Sequence, residues 1–160
     1  MNNTNTIQEA KDFLKEGFEK GVECPCCKQY VRKYRRLFDS GLARFLLGLY
    51  NLSKGSVTAE IDKDDIRTLM EINKLQATNY GIIEYWKLAE PVKNDDPKKR
   101  TSGLWKITAL GIAFAEDKIN VPKYCFTYNN KRLGFDEETT TIRHALGRNF
   151  NYEELMNYGK

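Results

Sequence analysis

A chain of 160 residues with 41% hydrophobic and 30% charged residues has enough apolar side chain for one core, and this composition excludes disorder along the whole length. No run approaches the roughly 18 apolar residues that a membrane-spanning helix requires, since the stretch 45–52 is closed by Arg44 and Lys54. The formal net charge of +4 is small but uneven: between positions 28 and 44, Lys28, Arg32, Lys33, Arg35, Arg36 and Arg44 are set against one acid, Asp39, a distribution that suits a polyanionic partner.

Residues 1–6 are rich in Asn and Thr and lead into Glu9, Lys11 and Asp12 rather than an apolar signal core, so a cytoplasmic protein is expected. In that compartment the four cysteines, Cys24, Cys26, Cys27 and Cys125, are free thiols or metal ligands rather than a disulfide framework.

In chain order, Ile7, Ala10, Phe13, Leu14 and Phe18 recur at helical spacing and predict an amphipathic helix over 7–20, ended by Gly21. The cysteine segment follows, and then an extended stretch over 30–37 in which basic and apolar residues alternate. Asp39 or Ser40 caps a helix over 41–52, whose Leu42, Phe45, Leu46, Leu49 and Tyr50 make it the most buried helix expected. A short strand over 57–61 precedes a helix to Glu71, opened by Asp62 and Asp65, with Ile66, Leu69 and Met70 inward.

A further helix over 74–87 is predicted, with Leu75, Ile82, Ile83 and Trp86 inward and Lys74, Gln76, Thr78 and Asn79 outward. Strands over 88–92 and 103–107 flank a turn at Asn94-Asp95-Asp96-Pro97 whose tip carries Lys98, Lys99 and Arg100. Thr108 caps a helix ending near Asp117. A hairpin at Asn129-Asn130 joins strands over 124–128 and 132–135, because Asn tolerates positive φ, and helical turns interrupted by Gly147 fill 140–158.

This order predicts an α+β, mainly α fold: a winged helix-turn-helix core over residues 40–118, an N-terminal helix and cysteine knuckle over 1–39, and a C-terminal hairpin and helix over 119–160 packed on the core. In a winged helix the second helix of the pair enters the major groove and the hairpin loop grips flanking backbone. Gln76 and Asn79 suit adenine edges, Thr78 a phosphate or thymine methyl, and Lys74 a phosphate. Lys93, Lys98, Lys99 and Arg100 form the wing's phosphate-binding set. Double-stranded DNA, bound in a regulatory role, is therefore the expected partner, and the alternative is a protein-interaction module that binds a host protein, since Glu84, Asp95 and Asp96 disfavour phosphate and the fold alone does not decide. Trp86 and Trp105 read as core residues rather than base-stacking platforms.

No phosphate-cradling glycine loop occurs, and the single histidine, His144, has no nucleophile assigned to it by spacing, so the expectation is a non-enzymatic protein. Cys24 and Cys27 have the C-x-x-C spacing of a zinc knuckle, but a closed site needs four ligands. Two completions stand open: Cys125 and His144 fold back to the knuckle, or two chains share the metal across a homodimer axis.

The segments Cys24-Pro25-Cys26-Cys27, Lys33-Tyr34-Arg35-Arg36, the run 99–108 and Val121-Pro122-Lys123-Tyr124 resemble a family of small bacteriophage-encoded winged-helix proteins whose activity is uncharacterised. The similarity runs from about Val22 to Met156. It implies a phage protein acting in the cytoplasm of a bacterial host, and a C-P-x-C motif that maps onto Cys24 and Cys27, leaves Cys26 variable and does not include Cys125.

Overall fold

The computed structural model describes residues 6–72 and 80–157. Within them the chain is an α+β protein of short helices and several antiparallel sheets. No helix among the described residues is long and apolar enough to cross a membrane.

Helix α1 (Ile7–Gly17) is followed by a hairpin of β1 (Val22–Glu23) and β2 (Tyr30–Val31), then by β3 (Tyr34–Leu37). Helix α2 (Ser40–Ser53) starts where the Asp39 carboxylate accepts the Leu42 N–H (3.0 Å), and it ends at Lys54 in the left-handed region. Its apolar positions are not confined to one stripe: Leu42, Ala43, Phe45, Leu46, Leu47 and Leu49 are all buried. A helix that is apolar all round must be enclosed, and α2 is covered by α3 (Lys63–Leu69), β6 (Leu104–Ile107), α4 (Ala109–Ala115), α5 (Ile142–Leu146) and α6 (Tyr152–Met156).

Glycine sets two of the closest approaches. A Cβ on Gly48 would stand 2.7 Å from Met70 Cγ and 2.9 Å from Ile66 Cγ2, so the bare backbone lets α3 lie against α2. A Cβ on Gly111 would meet the Leu88 carbonyl oxygen at 1.9 Å, so this position holds α4 close to the start of β5 (Ala89–Pro91).

Two aromatic groups fill the centre. Phe38 meets Trp86 at 5.3 Å and Phe114 at 5.4 Å, both edge to face. Phe45 stacks on Tyr80 at 4.4 Å and meets Trp105 edge-on at 5.6 Å. Each such pair contributes about 1 kcal/mol beyond its buried area. Trp86 and Trp105 are therefore core residues, as the apolar spacing around them predicts, and Trp86 Nε1 donates to the Pro122 carbonyl (2.7 Å).

The strand β4 (Ile61–Asp62), β6 and β5 form one antiparallel sheet in the order β4–β6–β5. The strand expected over 57–61 is cut to these two residues because residues 57–60 make no ladder; Ser56 and Thr58 instead bond to each other through their hydroxyls (3.0 Å). The helix expected to reach Glu71 closes earlier, because Met70 and Glu71 turn back onto Ile66 and Thr68 and Glu71 takes a φ of 54°. The helix expected over 74–87 lies partly outside the described residues. Its described part, Tyr80–Trp86, is a 3-10 helix with Tyr80, Ile83 and Trp86 buried.

A second sheet joins distant parts of the chain in the order β3–β8–β9, with β8 (Tyr124–Tyr128) and β9 (Lys131–Phe135) turning through Asn129 (φ 50°) and Asn130 (φ 61°). The last pairing, of β7 (Val121–Pro122) with β10 (Thr139–Thr140), leads the chain into α5 and α6. There Asn51 Nδ2 donates to the Leu155 carbonyl (2.7 Å), and Arg143 bridges Asp117 (2.8 Å) and Glu153 (2.5 Å).

The Tyr80 hydroxyl is buried without a hydrogen-bond partner among the described residues, and burial pushes its pKa up to about 12. Tyr50 is raised to about 12 as well, first because its hydroxyl donates to the Glu116 carboxylate (2.7 Å) and then by burial. Both folded-state values lie above the unfolded value of about 10, so neither phenol's titration affects folding below about pH 10, and their ionisation progressively destabilises the fold as pH rises towards about 12. Tyr80→Phe keeps the stacked ring and removes the unsatisfied oxygen. It is expected to raise the unfolding free energy by about 1 kcal/mol at neutral pH and to flatten the alkaline decline. Urea melts at neutral pH and at about pH 11 measure both, and a loss of stability at neutral pH would refute the unsatisfied hydroxyl.

Candidate nucleic-acid interface

The loop between β5 and β6 is built by its own polar side chains. Ladder pairing ends where Val92 N–H donates to the Leu104 carbonyl (2.8 Å) and Ser102 Oγ donates to the Val92 carbonyl (2.6 Å). Beyond that point Asn94 Nδ2 donates to the Lys99 carbonyl (2.6 Å), and Asn94 Oδ1 accepts the Asp96 N–H (3.1 Å). The Asp96 carboxylate accepts the Lys98 N–H (2.9 Å), and its carbonyl accepts that of Lys99 (3.1 Å). Asx turns of this kind fix a tip that has no core of its own.

The geometry alters the weight of the acids in this loop. The Asp96 carboxylate is engaged by the Lys98 backbone N–H, which partly screens the charge it would otherwise oppose to a phosphate. Lys93, Lys98, Lys99 and Arg100 are exposed and make no ion pair with any described residue. These four residues, assigned to a wing from the sequence, are exposed in the loop between β5 and β6. Lys74, Gln76, Thr78 and Asn79 lie outside the described residues.

At the base of the loop the sequence reading missed two cations. Lys63 and Arg67 line a cavity of about 510 Å³ with Tyr80, Ser102, Gly103 and Trp105. They are one helical turn apart on α3, so they share a face, and Lys63 N–H donates to the Gly103 carbonyl (2.9 Å). Their i,i+4 spacing was a usable signal, but only the pairing of β4 with β6 brings them beside the loop.

The basic run 28–44 divides into three environments. Arg44 is 6% exposed, with its guanidinium over the Phe150 ring at 4.4 Å, so it belongs to the core. Lys33 and Arg35 lie over the β8 rings of Phe126 (4.3 Å) and Tyr124 (3.5 Å) and pair with Glu19 (2.5 Å) and Asp136 (3.8 Å). Arg32 and Arg36 are exposed and pair with no acid among the described residues.

The cysteine segment is the turn of the β1–β2 hairpin. Cys24 N–H donates to the Gln29 carbonyl (2.7 Å), and the Cys24 carbonyl accepts the N–H of Lys28 (2.9 Å), itself left-handed at φ 66°. The Cys24 thiol is held below its ordinary pKa, first by the backbone N–H of Cys27 and then by that of Cys26. Cys24 is buried, and Cys26 and Cys27 are exposed. Cys125 is buried on the inner face of β8, where desolvation pushes its thiol up, and His144 is exposed on α5. Among the described residues no group of three or more His, Cys, Asp or Glu side chains is placed to hold a metal ion.

Asn94→Ala removes both side-chain bonds that brace the tip. Exposed hydrogen bonds add little to global stability, so the melting free energy is expected to change by less than about 1 kcal/mol, while the Asp96 amide, which donates to Asn94 Oδ1, loses protection. Amide hydrogen exchange resolves the two effects, and unchanged protection at that amide would show that Asn94 does not shape the tip. Comparison with protein-family profiles, with curated proteins and with solved structures finds no match to this chain.

Proposed function

We propose that residues 40–118 form a winged helix-turn-helix that binds double-stranded DNA in a regulatory role, in keeping with the resemblance to phage-encoded proteins. The observation that carries the reading is the antiparallel order β4–β6–β5 behind α2 and α3, with a braced loop between β5 and β6 that presents four cations without acid partners. In this arrangement Lys93, Lys98, Lys99 and Arg100 neutralise backbone phosphates. Lys63 and Arg67 extend the positive surface at the base of the loop, although Arg67 also lies 3.4 Å from Asp64. Lys74, Gln76, Thr78 and Asn79 remain the candidate base readers from their sequence positions.

Four released counterions give log K a slope of about −3.6 against log salt, so affinity falls by about two orders of magnitude between 50 and 200 mM salt. Changing Lys98, Lys99 and Arg100 together to Ala is expected to reduce that slope by about 2.7 without changing the melting temperature. Fluorescence anisotropy on a duplex over a salt series measures it. Absent or salt-independent binding defeats the reading and favours the host-protein module, which capture from nuclease-treated lysate then tests.

Zinc is the second part of the reading. The β1–β2 turn directs two backbone N–H groups at the Cys24 thiol, an environment that stabilises the thiolate needed for metal binding. Cys24 and Cys27 would hold the ion, and it would cross-link the hairpin without taking part in chemistry. Two thiolates leave a tetrahedral zinc two ligands short, and Cys125 is enclosed beneath the other sheet. A site shared by two chains fits these residues better than an intrachain one. Native mass measurement with elemental analysis should give one zinc per dimer, and Cys27→Ser should lose metal and dimer together. A metal-free monomer excludes the shared site, and one zinc per monomer restores an intrachain one.

A further inference from the structure

The geometry points to a second binding surface, independent of the β5–β6 loop: Arg32, just before the edge strand β3, with Tyr34 and Arg36 on it, a row which takes single-stranded nucleic acid by stacking a base on Tyr34 between two phosphate-binding arginines. Alternation along β3 puts Tyr34 and Arg36 on one side and Arg35 and Leu37 on the other; Arg32 and Lys33 precede the strand, and their ring contacts, Tyr34 for Arg32 and Phe126 for Lys33, group them with those two sides. The register puts Tyr34 and Arg36 on the face of their partners Thr127 and Cys125, and Arg35 on that of Phe126; at the edge strand Tyr34 and Arg36 stay exposed although Thr127 and Cys125 are buried.

The two sides carry similar charge but differ in what balances it. On the Lys33 side each cation is matched. Lys33 has Glu19 and the Phe126 ring, Arg35 has Asp136 and the Tyr124 ring, and the neighbouring Lys123 has Glu138 (3.5 Å) and Tyr124 (5.6 Å). That side is internally compensated and holds the sheet together. On the Arg32 side the two guanidinium groups flank a single ring, Arg32 at 6.0 Å and Arg36 at 5.3 Å from the Tyr34 centroid, and neither has an acid partner among the described residues. Asp39, the nearest acid in sequence, is engaged as the α2 N-cap.

Tyr34 is 43% exposed, and β3 is the outer strand in the order β3–β8–β9. Residues i and i+2 on a strand are about 6.6 Å apart, close to the interval between successive phosphates in an extended single strand. A cation at such a distance from an exposed ring is a weak contact, and a base stacked on the same ring is a stronger and sequence-tolerant one. A duplex is the poorer ligand for this row, because its base faces are already stacked on one another. Protection of an edge by charge is a general device against strand pairing, but it calls for no aromatic ring between the charges.

The test is anisotropy of a labelled oligothymidine with the full chain, in competition with a duplex, heparin and an acidic peptide. The wild type should bind the oligothymidine. Tyr34→Ala should weaken binding about tenfold at constant salt slope, with Tyr34→Phe restoring it. Arg32→Ala and Arg36→Ala should each lower the slope by about 0.7. The Lys98, Lys99 and Arg100 triple variant should bind oligothymidine as the wild type does, which separates this surface from the loop. The proposal is overturned if Tyr34→Ala binds unchanged, if heparin or the acidic peptide competes as well as the oligothymidine does, if the row variants weaken duplex binding equally, or if the triple variant abolishes single-strand binding. Circular dichroism melts show whether each variant is folded, and the phenylalanine variant keeps the test decisive should the alanine variant be unstable.

Discussion

Helix α2 has no face for water, and the rest of the chain is arranged to enclose it. Leu42, Phe45, Leu46, Leu47 and Leu49 are removed from solvent, and at about 2 kcal/mol for each large side chain fully buried this single helix is a major source of folding free energy. No neighbouring segment is long enough to cover it alone. The cover comes from α3 on one side, from β6 and α4 on another, and from α5 and α6 at the end of the chain. The C-terminal helices are thus part of the core, and Phe38, at the other end, enters it through Trp86 and Phe114.

Enclosure of α2 also decides which charges remain for a ligand. Arg44 lies within the helix and is taken up by the ring of Phe150. Acids such as Asp39, Asp62 and Asp96 are held by backbone amides as caps and turn braces, while Glu19, Asp136 and Glu138 each hold a basic side chain of the second sheet. Among the cations without acid partners are the four of the β5–β6 loop and the two arginines beside Tyr34. A net charge of +4 does not show this, because the compensated pairs cancel in the sum.

Local chemistry was legible in the sequence where local chemistry decides. The caps at Asp39 and Thr108 are in place, as is the Asn129-Asn130 turn, because a cap or a two-residue turn depends on a few adjacent side chains. Pairing of β3 with β8 was not legible: it joins residues some ninety positions apart, and an alternating strand does not name its partner. Arg44 was counted among surface cations because periodicity distinguishes faces only when a helix has a solvent face, and α2 has none. The 3-10 winding of Tyr80–Trp86 was missed for a related reason, since Ile83 and Trp86 fall inward at either a three- or a four-residue spacing. For the candidate site, the loop cations were readable as a run, whereas Lys63 and Arg67 join them only through the β4–β6 ladder.

The two cationic surfaces are built on one mechanical frame. Trp86, at the end of the 3-10 helix, is bonded through its indole N–H to Pro122, just before the strand that pairs with β3. Arg132, on β9, donates to the Tyr85 carbonyl (3.1 Å), so the second sheet grips the same short helix from its other strand. A buried indole and a guanidinium thus tie the sheet that carries β3 to the segment that leads directly into β5 and its loop. Relative motion of the two surfaces would have to break the Trp86 bond inside the core, where an unpaired indole N–H costs about 1–3 kcal/mol. The spacing between them is therefore a property of the folded core.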